Sequence, residues 1–315
     1  MRRFAIYFVA LALTFPLVSV AQQRGWVSQL APTMKHLYCV NFLNRNYGFA
    51  CGQATVLFTN NGGTTWTEQQ IPTQYKLYSV SVTDPNYAMI AGRDGTILRT
   101  TDAGVNWQAQ TAPTKVMPLK STSFIDSLRG WMVGWYGTII HTTNGGMNWT
   151  EQHSPSNVFL NKVVAANAST AFAVGEKGVI VRTTNEGKTW ETLASETTDS
   201  LYGICITGKN KNIIYAVGDH GSMVRSTDGG NHWTCMPILT PLTLLDISFS
   251  DEQHGTAVGT NALILRTDDG GAHWAQQPCP VSTHLNSVCQ IDAKTITIVG
   301  ANGTILRTTN GGWAK

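Results

Sequence analysis

The chain has 315 residues, with 22 Lys and Arg against 19 Asp and Glu and a formal charge of +3. That balance is too slight for a protein that grips nucleic acid or an acidic membrane surface mainly by charge. Only 13% of residues are charged while Gly reaches 30 and Trp reaches 10, a mixture that favours short strands and tight turns over helices.

The chain opens with Arg2 and Arg3, an apolar run from Phe4 to Val18 broken by Thr14 and Pro16, and the small-residue stretch Ser19-Val20-Ala21. This order predicts an export signal over residues 1–21, cleaved to leave a periplasmic or secreted chain over 22–315. A transmembrane anchor is the other reading, and the run is short and interrupted for one. No Cys closely follows the run, so no lipid anchor is expected, and no later segment is long enough to span a bilayer.

The mature region is a repeat. Trp66, Trp107, Trp149, Trp190, Trp233 and Trp274 stand 41, 42, 41, 43 and 41 residues apart. Three positions before each is Gly, and seven before is Thr or Ser. Five before is Asn or Asp: Asn61, Asp102, Asn144, Asn185, Asp228 and Asp269, with Asn310 in a seventh copy near the end. Every unit follows one plan. A β-rich run such as Leu77–Val82 or Leu119–Phe124 comes first. A second apolar run ends in Gly, as in Ala173-Val174-Gly175, and a tight hairpin such as Gly92 to Gly95, Gly134 to Gly137 or Gly218 to Gly221 leads into the third. The Asx-x-Gly turn follows, and the Trp starts a fourth run. Four short strands in about 40 residues are the mark of a propeller blade, so the chain is expected to be all-β: a seven-bladed β-propeller of four-stranded antiparallel blades.

The ends bear on ring closure. The seventh copy would place its Trp at position 315, where Lys315 stands, and Trp313 comes two residues early. The last blade therefore lacks room for a fourth strand. Trp26-Val27-Ser28-Gln29 resembles the fourth runs Trp66-Thr67-Glu68-Gln69 and Trp149-Thr150-Glu151-Gln152. The segment around Trp26 is predicted to pair into the final blade and cover its open edge.

The short motif, best seen in Ser226-Thr-Asp-Gly-Gly-Asn-His-Trp233 and Thr100-Thr-Asp-Ala-Gly-Val-Asn-Trp107, resembles the Asp-box, or bacterial neuraminidase repeat. That motif is a structural hairpin in sialidases, xyloglucanases and sortilin-like receptors. The longer unit, carried by Gly92 to Trp107, Gly218 to Trp233 and Gly300 to Gly312, resembles the photosystem II stability and assembly factor family over nearly all of residues 25–315. The resemblance implies a seven-bladed propeller that holds an unassembled membrane or surface protein, through an arginine-rich surface.

Five third-strand arginines fit that implication: Arg99, Arg182, Arg225, Arg266 and Arg307, with Phe58 and His141 in their place in the first and third units. Guanidinium groups so repeated could clamp carboxylates or carbonyls of a client; alternatively they pack their stems between blades. The third unit also gathers Trp131, Trp135 and Tyr136. Trp135 and Tyr136 lie in a turn, as an exposed interface anchor or as cover for a neighbouring blade.

Catalysis finds little footing. Asp84, Asp126 and Asp251 share one repeat position just after the first strand and read as turn residues. No Arg-Ile-Pro sequence of the sialidase kind occurs, and the eight His form no triad order, His232 and His273 being turn residues beside the repeat Trp. No Cys-x-x-Cys or His/Cys cluster suggests a metal, and no cofactor is expected. Cys39 and Cys51 are expected on neighbouring strands of one blade, and Cys279 and Cys289 flank a blade entry; either pair could bridge, and buried free thiols are equally compatible. The expected protein is thus a monomeric, non-catalytic propeller with a protein partner. A sialidase-like or other carbohydrate-active propeller is the main alternative, and a structural surface protein a third.

Overall fold

The computed structural model describes residues 25–113, 117–237 and 239–312. The export signal read over 1–21 lies outside the described residues, as do Trp313 and Lys315. Twenty-eight strands form seven four-stranded antiparallel sheets, and the only helical elements among the described residues are four three-residue 3-10 turns. The sheets are the seven blades, numbered here from the one that begins at Leu37.

The second strand of each blade is the clearest case of sequence dictating place. Ala88–Gly92, Gly130–Gly134 and Ala171–Gly175 are buried at every residue. Each is sandwiched between two neighbouring blades, so both of its sides must be apolar, as in any strand covered twice. The core is accordingly divided into seven clusters, each shared by adjacent blades; Cys51, Val56, Leu77, Ile90 and Trp107 make up one between blades 1 and 2. No blade buries its apolar faces alone, which is what makes the closed ring the stable unit.

The Gly that ends each second strand is demanded by space. A Cβ built on Gly175 would lie 2.2 Å from the Phe159 carbonyl oxygen, and one on Gly218 would lie 2.0 Å from that of Ser200. These carbonyls precede the first strand and accept the N–H of the next residue after each Gly, Glu176 at 3.0 Å and Asp219 at 3.0 Å. Any side chain would break that contact.

The first strands line the central channel with one edge unpaired. Small polar side chains of the preceding blade satisfy it. Ser79 Oγ accepts the Thr122 N–H at 3.1 Å, Ser81 Oγ that of Phe124 at 3.1 Å, Ser123 Oγ that of Ala165 at 3.0 Å, and Asn41 Oδ1 that of Val82 at 2.9 Å. In blade 6 Asp246 does the same for Val288, at 3.1 Å. The Leu-x-Ser-x-Ser character of these runs thus serves the backbone accounting of the ring.

The Asp-box turns are locked from within. Thr59 Oγ1 donates to Asn61 Oδ1 at 3.0 Å and accepts the Gly63 N–H at 2.8 Å; Asn61 Oδ1 also accepts the Thr65 N–H at 3.0 Å. The arrangement recurs through Asp102, Asn144, Asn185, Asp228 and Asp269. Gly63 takes φ +78°, a left-handed conformation that glycine adopts without strain. In the seventh copy Thr308 Oγ1 donates to Asn310 at 2.8 Å and accepts the Gly312 N–H at 3.0 Å.

The ring closes as expected. Val27 and Ser28 pair with Arg307 and Leu306 as the fourth strand of blade 7. Trp26, 4% exposed, lies so close to Gly312 that a Cβ there would meet its Nε1 at 2.7 Å. It fills the place that the repeat Trp takes in the other Asp-boxes; the corresponding distance from Gly271 to Trp274 is 3.3 Å. Gln29 then crosses to blade 1, accepting from Trp66 Nε1 at 3.0 Å and donating to the Gly62 carbonyl at 2.9 Å. Gln152 repeats this stitch between blades 3 and 4, accepting from both Trp131 and Trp190 at 3.1 and 3.0 Å. All six cysteines are free thiols, although Cys39 and Cys51 face each other in register.

Candidate functional site

The propeller has two unlike faces. One carries the Asp-box turns and the turns that join first to second strands. On that face Asp84 Oδ1 accepts two backbone N–H groups, at 2.8 and 3.0 Å. Asp126 and Asp251 do the same, each at 2.8 Å to both donors. Asn44, Asn167 and Asp292 hold the equivalent turns of three other blades. These side chains are engaged in holding turns.

The five third-strand arginines lie two strands out from the channel and reach toward the following blade. Arg182 donates to Asn231 Oδ1 at 2.8 Å and to the Gly229 carbonyl at 3.3 Å, and pairs with Glu191 at 2.8 Å. Arg266, 2% exposed, donates to Thr256 at 3.0 Å and Gln290 at 3.2 Å and to the Ala293 carbonyl. Arg307, 8% exposed, donates to Thr297 at 2.6 Å and to the Arg45 carbonyl, and its guanidinium lies 5.0 Å from the Phe42 ring centroid. Arg99 and Arg225 are half-buried over Tyr87 and Tyr215, at 5.5 and 5.4 Å. In blade 3 the pair is replaced jointly. Trp131 sits opposite His141 in register and stacks on it at 4.4 Å, and His141 is pushed below the usual imidazole range by burial. Arg307 also lines a groove of about 750 Å³ between blades 7 and 1, together with Arg45 and Lys294.

The opposite face carries the hairpins between second and third strands. Here blade 3 stands out. Tyr136 is 58% exposed, and Trp135 stacks on Phe159 of blade 4 at 4.8 Å with the planes 8° apart. Tyr136 meets the same ring edge-on at 5.1 Å. The two residues flagged in the sequence are thus brought together with a third, Phe159, that the repeat pattern did not mark.

At the centre of this face is the channel mouth. Each first strand carries a bulge around its second residue; in blade 2 Leu77 pairs with Gly92 and Ser79 with Ala91, leaving Tyr78 outside the ladder. A bulge re-aims a side chain, and here it turns one residue per blade to the mouth. Tyr38, Tyr78, Lys120, Asn161, Tyr202, Leu245 and Asn286 share a cavity of about 420 Å³ with Lys76 and Lys162. Lys120 lies 4.3 Å from the Tyr78 ring centroid, and burial and then Lys76 hold its amine below the usual lysine range. Below it Lys162 pairs with Asp246 across the channel at 3.1 Å, Asp246 being 4% exposed in its side chain. Burial opposes the charge on Lys162, but the Asp246 carboxylate outweighs it and raises the amine well above its ordinary value. Among the described residues no group of His, Cys, Asp and Glu could hold a metal, and no helix is long and apolar enough to cross a membrane.

Fold and turns together define a seven-bladed Asp-box propeller with one face of locked turns and one that carries a half-buried aromatic cluster with an exposed Tyr136 and a cationic channel mouth. The profile of the photosynthesis system II assembly factor YCF48 family matches residues 18–118, 109–236 and 232–315, and the chain belongs to that family. Solved structures of similar fold include YCF48 bound to D1 peptide, with 21% identity, a TM-score of 0.76, and coverage of 91% of this chain and 97% of that one. YCF48 from Cyanidioschyzon merolae has 21% identity and a TM-score of 0.75, covering 90% and 98%. A virginiamycin B lyase from Staphylococcus aureus has 17% identity and a TM-score of 0.78, covering 90% and 99%. These likenesses show the architecture. No match to a curated protein sequence was found.

Proposed function

We propose that this propeller is an exported, non-catalytic factor that holds a segment of an unassembled client protein during complex assembly. Membership of the YCF48 family supports that reading, as does the binding of a D1 peptide by a propeller of the same architecture. The observation that carries it is the cluster of Trp135, Tyr136 and Phe159, because a largely exposed Tyr beside a stacked Trp is the make-up of an interface anchor. The client lies across this face, with its apolar side chains on the blade 3 aromatics. Against the alternative of a sialidase-like enzyme, Asp84, Asp126 and Asp251 are each taken up in holding a turn.

Photo-crosslinking tests the reading. A photoreactive residue in place of Tyr136, in the full chain expressed in its native host, captures one defined client, and the double change Trp135→Ala, Tyr136→Ala loses that capture by at least about tenfold. Unchanged capture by the double variant, or turnover of fluorogenic sialosides or β-glucans, sinks the proposal. A second reading is favoured by the groove that Arg307 lines with Arg45 and Lys294: the client then docks on the Asp-box face. In that case the double change Arg45→Glu, Lys294→Glu, at the two exposed basic residues of that groove, and not the aromatic variant, abolishes capture in protein that still folds.

A further inference from the structure

The channel mouth holds more positive charge than it neutralises. Lys76 and Lys120 are both half-buried there, and neither has a carboxylate partner among the described residues, whereas Lys162 beneath them is paired with Asp246. Of the acids near the mouth, Glu176 lies on the blade 4 hairpin, on the Tyr202 side, and the other two are engaged elsewhere. Asp94 faces Arg93 at 3.6 Å, and Asp219 accepts from Tyr202 at 3.1 Å and from Thr243 at 3.1 Å. The two asparagines of the mouth are fixed by their own donors: Asn161 bonds the Leu201 carbonyl at 2.9 Å and Asn286 that of Leu37 at 2.7 Å. What remains open to a ligand is a pair of ammonium groups on blades 2 and 3, walled by the rings of Tyr38 and Tyr78, whose centroids are 5.8 Å apart. Like charges set close together in a partly desolvated site cost stability unless an anion joins them.

We propose that this mouth is a receptor for a single peptide carboxylate, held between the Lys76 and Lys120 ammonium groups with its apolar neighbours against Tyr38 and Tyr78. Two point charges on flexible stems, with no arginine fork and with aromatic walls, suit a monoanion attached to an apolar chain better than a phosphate. The cavity of about 420 Å³ is at the small end of ligand sites, so one side chain or one chain end enters while the rest of the peptide lies on the rim. The inference deepens the client-binding reading and takes the peptide from it; synthetic probes keep the two separable.

The experiment uses the full chain with its lysines reductively methylated with carbon-13, so that the Lys120 resonance can be followed by NMR. Three acetylated hexapeptides of Gly, Ser and Ala are titrated: one with a free C-terminal carboxylate, its C-terminal amide, and an amide carrying one internal Glu. Inorganic phosphate is the fourth probe. A carboxylate peptide shifts the Lys120 signal and raises its titration midpoint, while the plain amide does neither. The two carboxylate peptides differ in strength, which assigns the source as chain end or acidic side chain. Lys120→Met weakens binding at least about tenfold, as removing one charged contact does, and it raises Tm because an uncompensated buried charge is gone. Lys76→Gln weakens binding with the fold intact. The inference is overturned by equal response to amide and carboxylate, by phosphate binding more tightly than either peptide, or by a Tm that falls in Lys120→Met with binding unchanged. Client crosslinking at Tyr136 that persists in Lys120→Met leaves the client reading standing and removes the mouth from it.

Discussion

Replacing Trp26 tests how the ring is held shut. Trp26 is 4% exposed and packs with Val258, Ile264, Leu285, Ile298 and Leu306, across blades 6 and 7. Its Nε1 makes no hydrogen bond to a described residue, so Trp26→Ala chiefly removes packing. Truncating a buried Trp to Ala costs about 3–5 kcal/mol through lost transfer energy and the cavity left behind. The loss does not stop there. Trp26 positions a strand of only two residues, and with it Gln29, whose bonds to Trp66 and Gly62 tie blade 7 to blade 1. If the strap detaches, two hydrogen bonds worth roughly 1 kcal/mol each go with it. The third strand of blade 7, Ile305–Thr308, then has an open edge. At roughly 2 °C per kcal/mol for a domain of this size, Tm falls by about 6–14 °C, and the unfolding slope in urea shows whether the transition stays cooperative. Gln29→Ala alone lowers Tm by a smaller amount, and the two changes together cost less than their sum because both act through one strap. If Trp26→Ala, or removal of residues up to 30, leaves Tm within about 1 °C of the parent, the N-terminal strand is dispensable and closure rests on the interfaces between the other blades.

Two further outcomes follow from the charged groups. Lys162→Met strands the Asp246 carboxylate in the channel and costs about 3–5 kcal/mol by chemical denaturation; adding Asp246→Asn, which keeps an acceptor for Val288 and Ser287, recovers most of that loss, and a double variant no better than the single one refutes the pairing. Asp269 is lowered to about 2 and Asp228 lies lower still, in each case mainly because the backbone N–H of the following His, then its side chain, bonds the carboxylate. A carboxyl depressed in the folded state adds stability above its unfolded value of 3.8, and that stability is lost as pH falls through the folded value. Tm should therefore decline as the pH is lowered from about 4 toward 2. Asp228→Asn with Asp269→Asn folds, since Asn already serves in the boxes of Asn61, Asn144 and Asn185, and its Tm declines less over that range; an identical decline points to other groups.

The seven blades and the closure through Trp26 were legible because both follow from identity at a fixed spacing. Each Asp-box fixes its own turn locally, and Trp26-Val27-Ser28-Gln29 carries the same signature as the strands it replaces. The roles of Ser79, Ser81, Ser121 and Ser123 were not legible. They cap the N–H groups of a strand about 40 residues further on, and such a partner exists only once the ring is closed. Phe159 was missed for a similar reason: it lies in the connection before a first strand and meets Trp135 of the preceding blade only in the folded ring. The arginines could be seen as a set, but whether a guanidinium faces a client or the next blade depends on which blade edge its strand borders, and sequence spacing is silent on that.

The channel mouth shows where a repeat protein leaves room for function. The second residue of the first strand reads Tyr38, Tyr78, Lys120, Asn161, Tyr202, Leu245, Asn286 around the ring, with no common chemistry, while the residue before it is Leu in all seven blades. The bulge explains this. It removes the side chain from the interface between blades, where packing would impose one residue type on every copy, and hands it to the channel. Freed of a packing role, the position can differ in every blade without cost to the fold. A search of the sequence for sites should therefore look for the variable position inside a regular strand as well as for the repeated one. Here that criterion selects Lys120, the one basic residue in the set, and the charge-pair chemistry of the mouth turns on it.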